Sequence, residues 1–440
     1  MSVARILVFV VLMLAALGSL NAFVFRWARN AFGLGASAGR VLQGVLAVSL
    51  AGMVLGRLAG RVGFGAWVPG MIAVTSTVQL AVVISGALLL VAEVIGRLSR
   101  LPRRLQQLRG GPPVKAAPRS EVADSAAPVP VAAPRSEVAN SAAPVPVAAP
   151  LPFPRRTFLA RATAGSAFLI GSSSSLYGAL KGRYDYVVEE AVIEIPGLPR
   201  ALDGFSIAQL SDVHIGVFVG DAELNIAEEL LRQAKPDLVV LTGDLLDNDA
   251  RLASQLGRFV RRLPPFARQG VVAVTGNHDY FAGADEMARA VTGAGGRMLR
   301  NDALVIGGAG AGFALLGVED VWARRDGAGP DLERALAALP RLGGRVAPAL
   351  DLPRVLLCHN PSFFAESAGR VALQLSGHTH GGQVNLGIRP ADYILPGGWV
   401  AGRYDERGSA LYVNRGFGTV GPPARLGAPP EVTRIILTSS

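Results

Sequence analysis

The sequence predicts an α/β domain preceded by transmembrane helices, and three observations carry that prediction. No Asp or Glu occurs from Met1 to Ala92, a region that divides into long apolar stretches. From Phe205 onward, short apolar runs alternate with amphipathic segments. Polar motifs rich in Gly, Asp, Asn and His follow the ends of those runs.

Half of the 440 residues are hydrophobic and 17% are charged, too apolar for an ordinary soluble protein. The formal net charge of +10 reads as a nucleic-acid signal until it is located. Residues 1–183 carry 19 Lys+Arg against 4 Asp+Glu, and residues 184–440 carry 24 against 29. The basic excess therefore flanks the apolar stretches, and nucleic acid loses its best argument as a partner. The one cysteine, Cys358, excludes an intramolecular disulfide framework and a zinc–thiolate cluster.

Taken in order, the apolar stretches are about Ile6–Phe25, Val41–Leu58 and Trp67–Ile95. Each approaches or exceeds the ~20 residues that a helix needs to cross a bilayer. A cleaved signal peptide is the other reading of the first, but no clear small-residue cleavage site follows it. Residues 1–100 thus form a three-helix transmembrane region. Residues 101–154 form a linker that opens on a basic run, with Arg103, Arg104 and Arg109, and continues in Ala, Pro, Val and Ser. Within it Pro118–Ser125 recurs almost unchanged as Pro134–Ser141, and the density of Pro predicts an extended spacer.

Residues 155–182 begin Arg155-Arg156-Thr157-Phe158-Leu159 and run on into Ser- and Ala-rich apolar sequence. The segment reads either as a twin-arginine-like export signal or as a fourth transmembrane helix. Both readings leave the basic linker cytoplasmic and put residues after Lys181 across the cell (inner) membrane.

Residues 184–440 carry the alternating pattern. Strands are expected at Phe205–Leu210, Leu238–Leu241, Val271–Val274, Phe313–Gly317, Arg354–Cys358, Ala372–Leu375, Leu411–Val413 and Val432–Leu437. Helices are expected at Ala222–Ala234, Arg251–Val260, Glu286–Val291 and Leu332–Leu339. Continuous apolar strands separated by helices argue for buried sheet, whose sites lie beyond the strand C-terminal ends.

All five histidines fall at such ends. They occur in Asp212-Val213-His214, Gly276-Asn277-His278-Asp279, Cys358-His359-Asn360-Pro361 and Gly377-His378-Thr379-His380. A further element, Gly243-Asp244-Leu245-Leu246-Asp247, follows the Leu238 strand. A lone histidine is more often structural than a ligand, but five obeying one positional rule point to a metal centre. Nitrogen and carboxylate donors without thiolate suit Mn, Fe, Zn or Mg. Two cations ~3.5–4 Å apart need a bridging carboxylate, and they activate water while clamping phosphoryl oxygens. Gly243, Gly276 and Gly377 are expected to let the backbone turn sharply, so that the next side chain enters the site.

In this order the motifs resemble the calcineurin-like metallophosphoesterase family over roughly Phe205–Leu437, and within it the bacterial membrane-associated subgroup. Gly381-Gly382-Gln383, Asn414–Gly418, Arg425 and Pro430-Glu431 fit that subgroup. The resemblance implies a β-sandwich flanked by helices that binds two divalent or trivalent metal ions. It implies that Asp212, His214 and His380 hold one ion, that Asn277, His359 and His378 hold the other, and that Asp244 bridges them. It makes His278 the group that stabilises or protonates the leaving oxygen, with Asp247 orienting its ring. Asp279 is expected to cap the following turn, and Cys358 to lie in strand core.

One departure bears on substrate. Protein Ser/Thr phosphatases of the superfamily follow the second Asp of Gly-Asp-X-X-Asp with a phosphate-contacting Arg, where this chain has Asn248. The expected activity is therefore phosphodiester or small phosphomonoester hydrolysis by metal-hydroxide attack, on a lipid-linked or small phosphoester at the membrane. A nucleotidase or nuclease of the same fold, and a catalytically inactive membrane scaffold, are the alternatives.

Overall fold

Every residue of β2 (Phe205–Leu210), β3 (Leu238–Thr242) and β4 (Val271–Val274) is buried, so these strands show no polar alternation. Such strands form only where both faces of a sheet are covered. The computed structural model describes residues 3–62, 67–99, 154–308, 311–342 and 352–439. The expected Pro-rich linker and its repeat lie outside them.

Nine other strands complete two sheets. They are β1 (Val187–Ile195), β5 (Arg297–Met298), β6 (Asp302–Gly308), β7 (Ala311–Gly317), β8 (Arg354–Leu357), β9 (Leu373–Ser376), β11 (Ser409–Val413) and β12 (Glu431–Ser439), with β10 (Gly402–Glu406) pairing at an edge as the ninth. One six-stranded sheet has the order β1-β12-β2-β3-β4-β5, the other β10-β11-β9-β8-β7-β6. Parallel pairing runs through β2-β3-β4-β5 and through β7-β8-β9-β11, so the C-terminal ends of the central strands share one edge in each sheet.

The inner faces meet in one apolar cluster. Ile207, Val240 and Val274 from the first sheet pack with Phe313, Leu357 and Leu375 from the second. Phe205 and Phe313 touch edge to face, 5.4 Å between centroids. Outside the first sheet lie α5 (Asp221–Ala234), α6 (Ala253–Val260) and α8 (Ala284–Gly293), which bury Leu231, Phe259 and Met287 against it. The helix α9 (Leu332–Leu342) covers the second sheet through Leu332, Ala335 and Leu339. The short α7 (Asn277–Ala282) follows β4 directly. The result is a β-sandwich flanked by helices.

The elements that the apolar pattern missed are mostly edges. Strand β1 carries Glu189, Glu190 and Glu194, as edge strands often carry charge, and Glu190 pairs with Arg434 of β12 at 3.0 Å. Strand β10 has the sequence Gly-Arg-Tyr-Asp-Glu and is mostly exposed.

The N-terminal part is helical: α1 (Val3–Phe32), α2 (Ala36–Val62), α3 (Val68–Leu98) and α4 (Arg155–Leu180). Among the described residues, three helices are long and apolar enough to cross a membrane, over Val11–Phe32, Ala36–Arg57 and Val68–Leu98. They extend past the apolar stretches because arginine is a good helix former whose charge can reach outward from the axis. Buried polar groups tie them together: Asn21 Nδ2 donates to Gln79 Oε1 at 3.0 Å, and Gln79 Nε2 donates to Ser49 Oγ at 2.7 Å. The less apolar α4 lies antiparallel along α3 through small residues. Ser175 Oγ donates to the Thr77 carbonyl at 2.6 Å, and Ser85 Oγ to the Ala167 carbonyl at 3.1 Å. A Cβ on Gly171 would strike Ser85.

The two parts meet where Leu80, Ile84 and Ala179 bury Ala424 and Leu426. Arg425 N donates to the Gly178 carbonyl at 3.1 Å.

Phe313→Ala should remove about 3–5 kcal/mol of inter-sheet packing and lower Tm in detergent by roughly 10 °C, read by differential scanning fluorimetry.

Candidate metal centre

The loops after β2, β3 and β4 meet those after β8 and β9 along the seam between the two sheets. Backbone bonds set their register within each sheet: Asp212 N donates to the Gly243 carbonyl and His214 N to the Asp244 carbonyl, both at 3.0 Å. Gly377 N donates to the His359 carbonyl at 2.9 Å. Other bonds cross the seam. His378 N donates to both Asp212 carboxylate oxygens at 3.0 Å, and Gln209 Nε2 to the Ser376 carbonyl at 2.9 Å.

Asp212, His214, Asp244, His378 and His380 all have left-handed backbone, with φ of 53°, 51°, 51°, 73° and 51°. Each such non-glycine residue costs free energy, and strain of this kind persists where the surroundings over-determine it. The glycines act in two ways. Gly243 has φ +87°, as a sharp turn requires. Gly276 and Gly377 serve differently from the expected turn, since both have ordinary φ. Their missing Cβ makes room instead, for Asp244 beside Gly276 and for Ser211 and Asp212 beside Gly377.

Among the described residues, ligand-type atoms converge in three groups, each with its donor atoms within 4.8 Å of one another. Asp212, His214 and His380 form one, Asp244, His359 and His378 another, and His214, Asp244 and His278 a third that joins them. His214 Nε2 is 3.2 Å from His380 Nε2, which is 3.4 Å from Asp212 Oδ1. His378 Nδ1 is 3.3 Å from His359 Nε2. Asp244 Oδ2 faces both groups, 3.6 Å from His214 Nε2 and 3.3 Å from His359 Nε2. These spacings match donors sharing a cation at ~2.0–2.2 Å. Asn277 Oδ1 is buried without a hydrogen-bond partner, an expensive state that a cation would relieve. The donor set therefore fits metal.

Protonation divides the donors: burial opposes the His359 charge, but the Asp244 carboxylate outweighs it and raises this imidazole well above its usual range. His359 Nδ1–H donates to the Thr242 carbonyl at 2.8 Å, which turns Nε2 toward Asp244. Burial lowers His214 to about 3, with the Asp244 carboxylate only partly opposing it. Burial likewise lowers His378, and lowers His380 with help from the Arg425 charge, so these three imidazoles are neutral. Burial opposes the Asp244 charge, but His359 and then His214 outweigh it and hold the carboxyl well below its usual range.

His278 sits at the rim with Nδ1 at 3.9 Å from Asp247 Oδ1, a distance for paired charges but longer than a hydrogen bond. Asp247 Oδ1 accepts from Asn248 Nδ2 at 2.9 Å, and His278 N donates to Asp244 Oδ1 at 2.7 Å. Asp279 points away from the pocket and caps the loops behind it. Its Oδ1 accepts from Leu245 N and Leu246 N at 2.9 and 3.0 Å, and its Oδ2 from Gly276 N at 2.9 Å. Burial, then the Asp244 charge, raises its carboxyl to about 7. Cys358 is buried in the apolar cluster under α9.

Arg425 carries a role that its position in a Pro- and Gly-rich loop did not signal. It is fully buried, and its guanidinium donates to the carbonyls of Gly418 at 3.0 Å, Arg415 at 2.8 Å, Ala428 at 3.1 Å and Gly416 at 3.0 Å. Nη2 also lies 3.2 Å from His380 Nδ1, so this side chain backs one wall of the pocket.

Residues 205–382 match the profile of the family described as Calcineurin-like phosphoesterase. The chain is similar to an uncharacterized metallophosphoesterase of Bacillus subtilis, YkuE, 31% identical over 65% of this chain and 98% of that one. It is also similar to a transmembrane protein with metallophosphoesterase domain of Bos taurus, 29% identical over 62% of each chain. The chain thus spans under two thirds of that vertebrate relative's length.

Gly377→Ala should push Asp212 out of position and weaken manganese binding by about 10- to 100-fold, measured by calorimetric titration of the purified full-length chain.

Proposed function

Because this chain belongs to the calcineurin-like phosphoesterase family, we propose that it is a membrane-anchored, two-metal phosphodiesterase acting on a lipid-linked or small phosphoester. The observation that carries this reading is the placing of Asp244 Oδ2 between two triads of ligand-type atoms. Asp212, His214 and His380 would hold one ion and Asn277, His359 and His378 the second, with Asp244 common to both. Nitrogen and oxygen donors favour Mn, Fe, Zn or Mg. When bound, such ions supply an activated water and neutralise phosphoryl charge.

The chain's own residues then have defined tasks. His278, 18% exposed, is assigned the proton transfer to the leaving oxygen. Asp247, 3.9 Å from that ring, is assigned its orientation. His359 keeps its Nδ1 proton on the Thr242 carbonyl throughout. Asp279, linked to three backbone N–H groups, keeps the Asp244 and Asn277 loops together.

The three apolar helices support a multi-pass anchor, and the charge distribution along the chain supports an extracytoplasmic pocket at the cell (inner) membrane. Tethering concentrates the pocket at the bilayer surface, which favours substrates found there.

Full-length protein in detergent should hydrolyse bis-p-nitrophenyl phosphate with added manganese and lose the activity to EDTA; no turnover with any of the four metals would sink the reading. His278→Ala should lower kcat by about 10²- to 10⁴-fold with metal content retained, whereas Asp244→Ala should lose both activity and metal.

A further inference from the structure

The helix α2 reaches the loop beside the pocket. Arg57 stands at the end of its apolar stretch, Ala36–Arg57. Its Nη2 donates to the Gly421 carbonyl at 2.6 Å and its Nη1 to the Met53 carbonyl at 3.4 Å. Gly421 belongs to the loop that frames the metal centre: Gly418 N donates to the Asp212 carbonyl at 2.8 Å, and Val420 N to Gln383 Oε1 at 3.0 Å. Gln383 returns the contact through Nε2, to the carbonyls of Val420 at 2.8 Å and Pro422 at 3.0 Å. On the pocket side, Arg57 is near enough to Asp247 for the two charges to interact.

A phosphoester anion entering this pocket meets Asp212, Asp244 and Asp247. It needs a cation besides the metals, and Arg425 and Arg415 of the sandwich are committed. Arg425 is surrounded by carbonyls, while Arg415 is bound to Glu189 at 2.8 Å and to Glu431. The residue after Asp247 is the neutral Asn248. Arg57 differs. It is half-buried, uses two of its N–H groups on carbonyls, and forms no close ion pair among the described residues. A guanidinium has five N–H donors in a planar fork, so donors remain for a tetrahedral oxyanion.

We propose that Arg57 is a substrate-binding residue: helix α2 supplies the cation that receives a non-bridging phosphoryl oxygen at the metal pocket. The inference rests on the phosphoesterase reading of that pocket. It makes the apolar helices part of the substrate site as well as an anchor, and it sets the bound phosphate at the level where α2 ends.

The test uses the full-length, manganese-loaded protein in detergent, with Arg40→Gln at the other end of α2 as the charge control. Calorimetric titration with inorganic phosphate reads binding without turnover. Arg57→Gln should weaken phosphate binding and raise KM for bis-p-nitrophenyl phosphate, each by about 10- to 100-fold, while kcat changes under about threefold. Manganese content and Tm should match the Arg40→Gln control. Unchanged phosphate binding in a metal-replete Arg57→Gln protein overturns the proposal. If wild-type protein binds phosphate through Arg57 but turns nothing over, the phosphoesterase reading fails and the arginine assignment stands. Should Arg57→Gln lose its metal, Arg57→Lys decides: the loss of the fork should still weaken phosphate binding several-fold, and wild-type binding overturns the proposal. Phosphatidylglycerol vesicles, assayed in parallel, separate the sources. A KM rise on vesicles assigns the cation to a lipid phosphate, and a rise confined to bis-p-nitrophenyl phosphate assigns it to a free phosphoester.

Discussion

A carboxylate buried without compensation costs several kcal/mol, and Asp244 lies 2% exposed at the seam of two sheets. Its Oδ1 is held by the His278 N–H, and its Oδ2 lies between His214 and His359. The surrounding structure answers this one charge. Strands of both sheets end here, imidazoles are turned toward it, and Asp279 fastens the adjoining loops from behind. With Asp212 also fully buried, the pocket concentrates negative charge where water cannot screen it. Cations are the natural complement, which is why the donor set reads as a metal centre independently of any family resemblance.

Holding that geometry strains the chain. Five ligand-type residues sit in the left-handed region, and two glycines admit groups that no larger residue would tolerate. Such local cost is sustained by stability elsewhere, here the apolar interface between the sheets and the helices on their outer faces. The parallel central strands matter because all their C-terminal ends then open on one side. Antiparallel pairs are confined to the flanks, where β12, β6 and β10 close the sheets.

The loop from Gly416 to Leu426 joins the pocket to the apolar helices. Arg425 anchors it from inside, Ala424 and Leu426 are packed under Leu80 and Ile84, and Gly421 accepts from Arg57. The pocket therefore has a defined seat on the helices.

The sequence alone determined the central strands, because a strand covered on both faces is continuously apolar and its ends show as Gly, Asp and His. Phe205–Leu210 and Val271–Val274 were legible residue for residue. So were the apolar helices, whose lack of acidic residues is a property of composition, and the ligand-type residues, which are few and fall by one rule. Strands β1, β6 and β10 were hidden because charge or glycine breaks the apolar signal, and the partner of β1 lies far along the chain. Only the tertiary structure decided which donors face each other, that Gly276 and Gly377 serve close approach and not a turn, and that Asp247 stands off His278 at 3.9 Å. It alone brought Arg57 to Gly421, 364 positions away. Contacts between side chains so distant in sequence leave no periodicity to read; they exist only once two sheets and a helix bundle have packed.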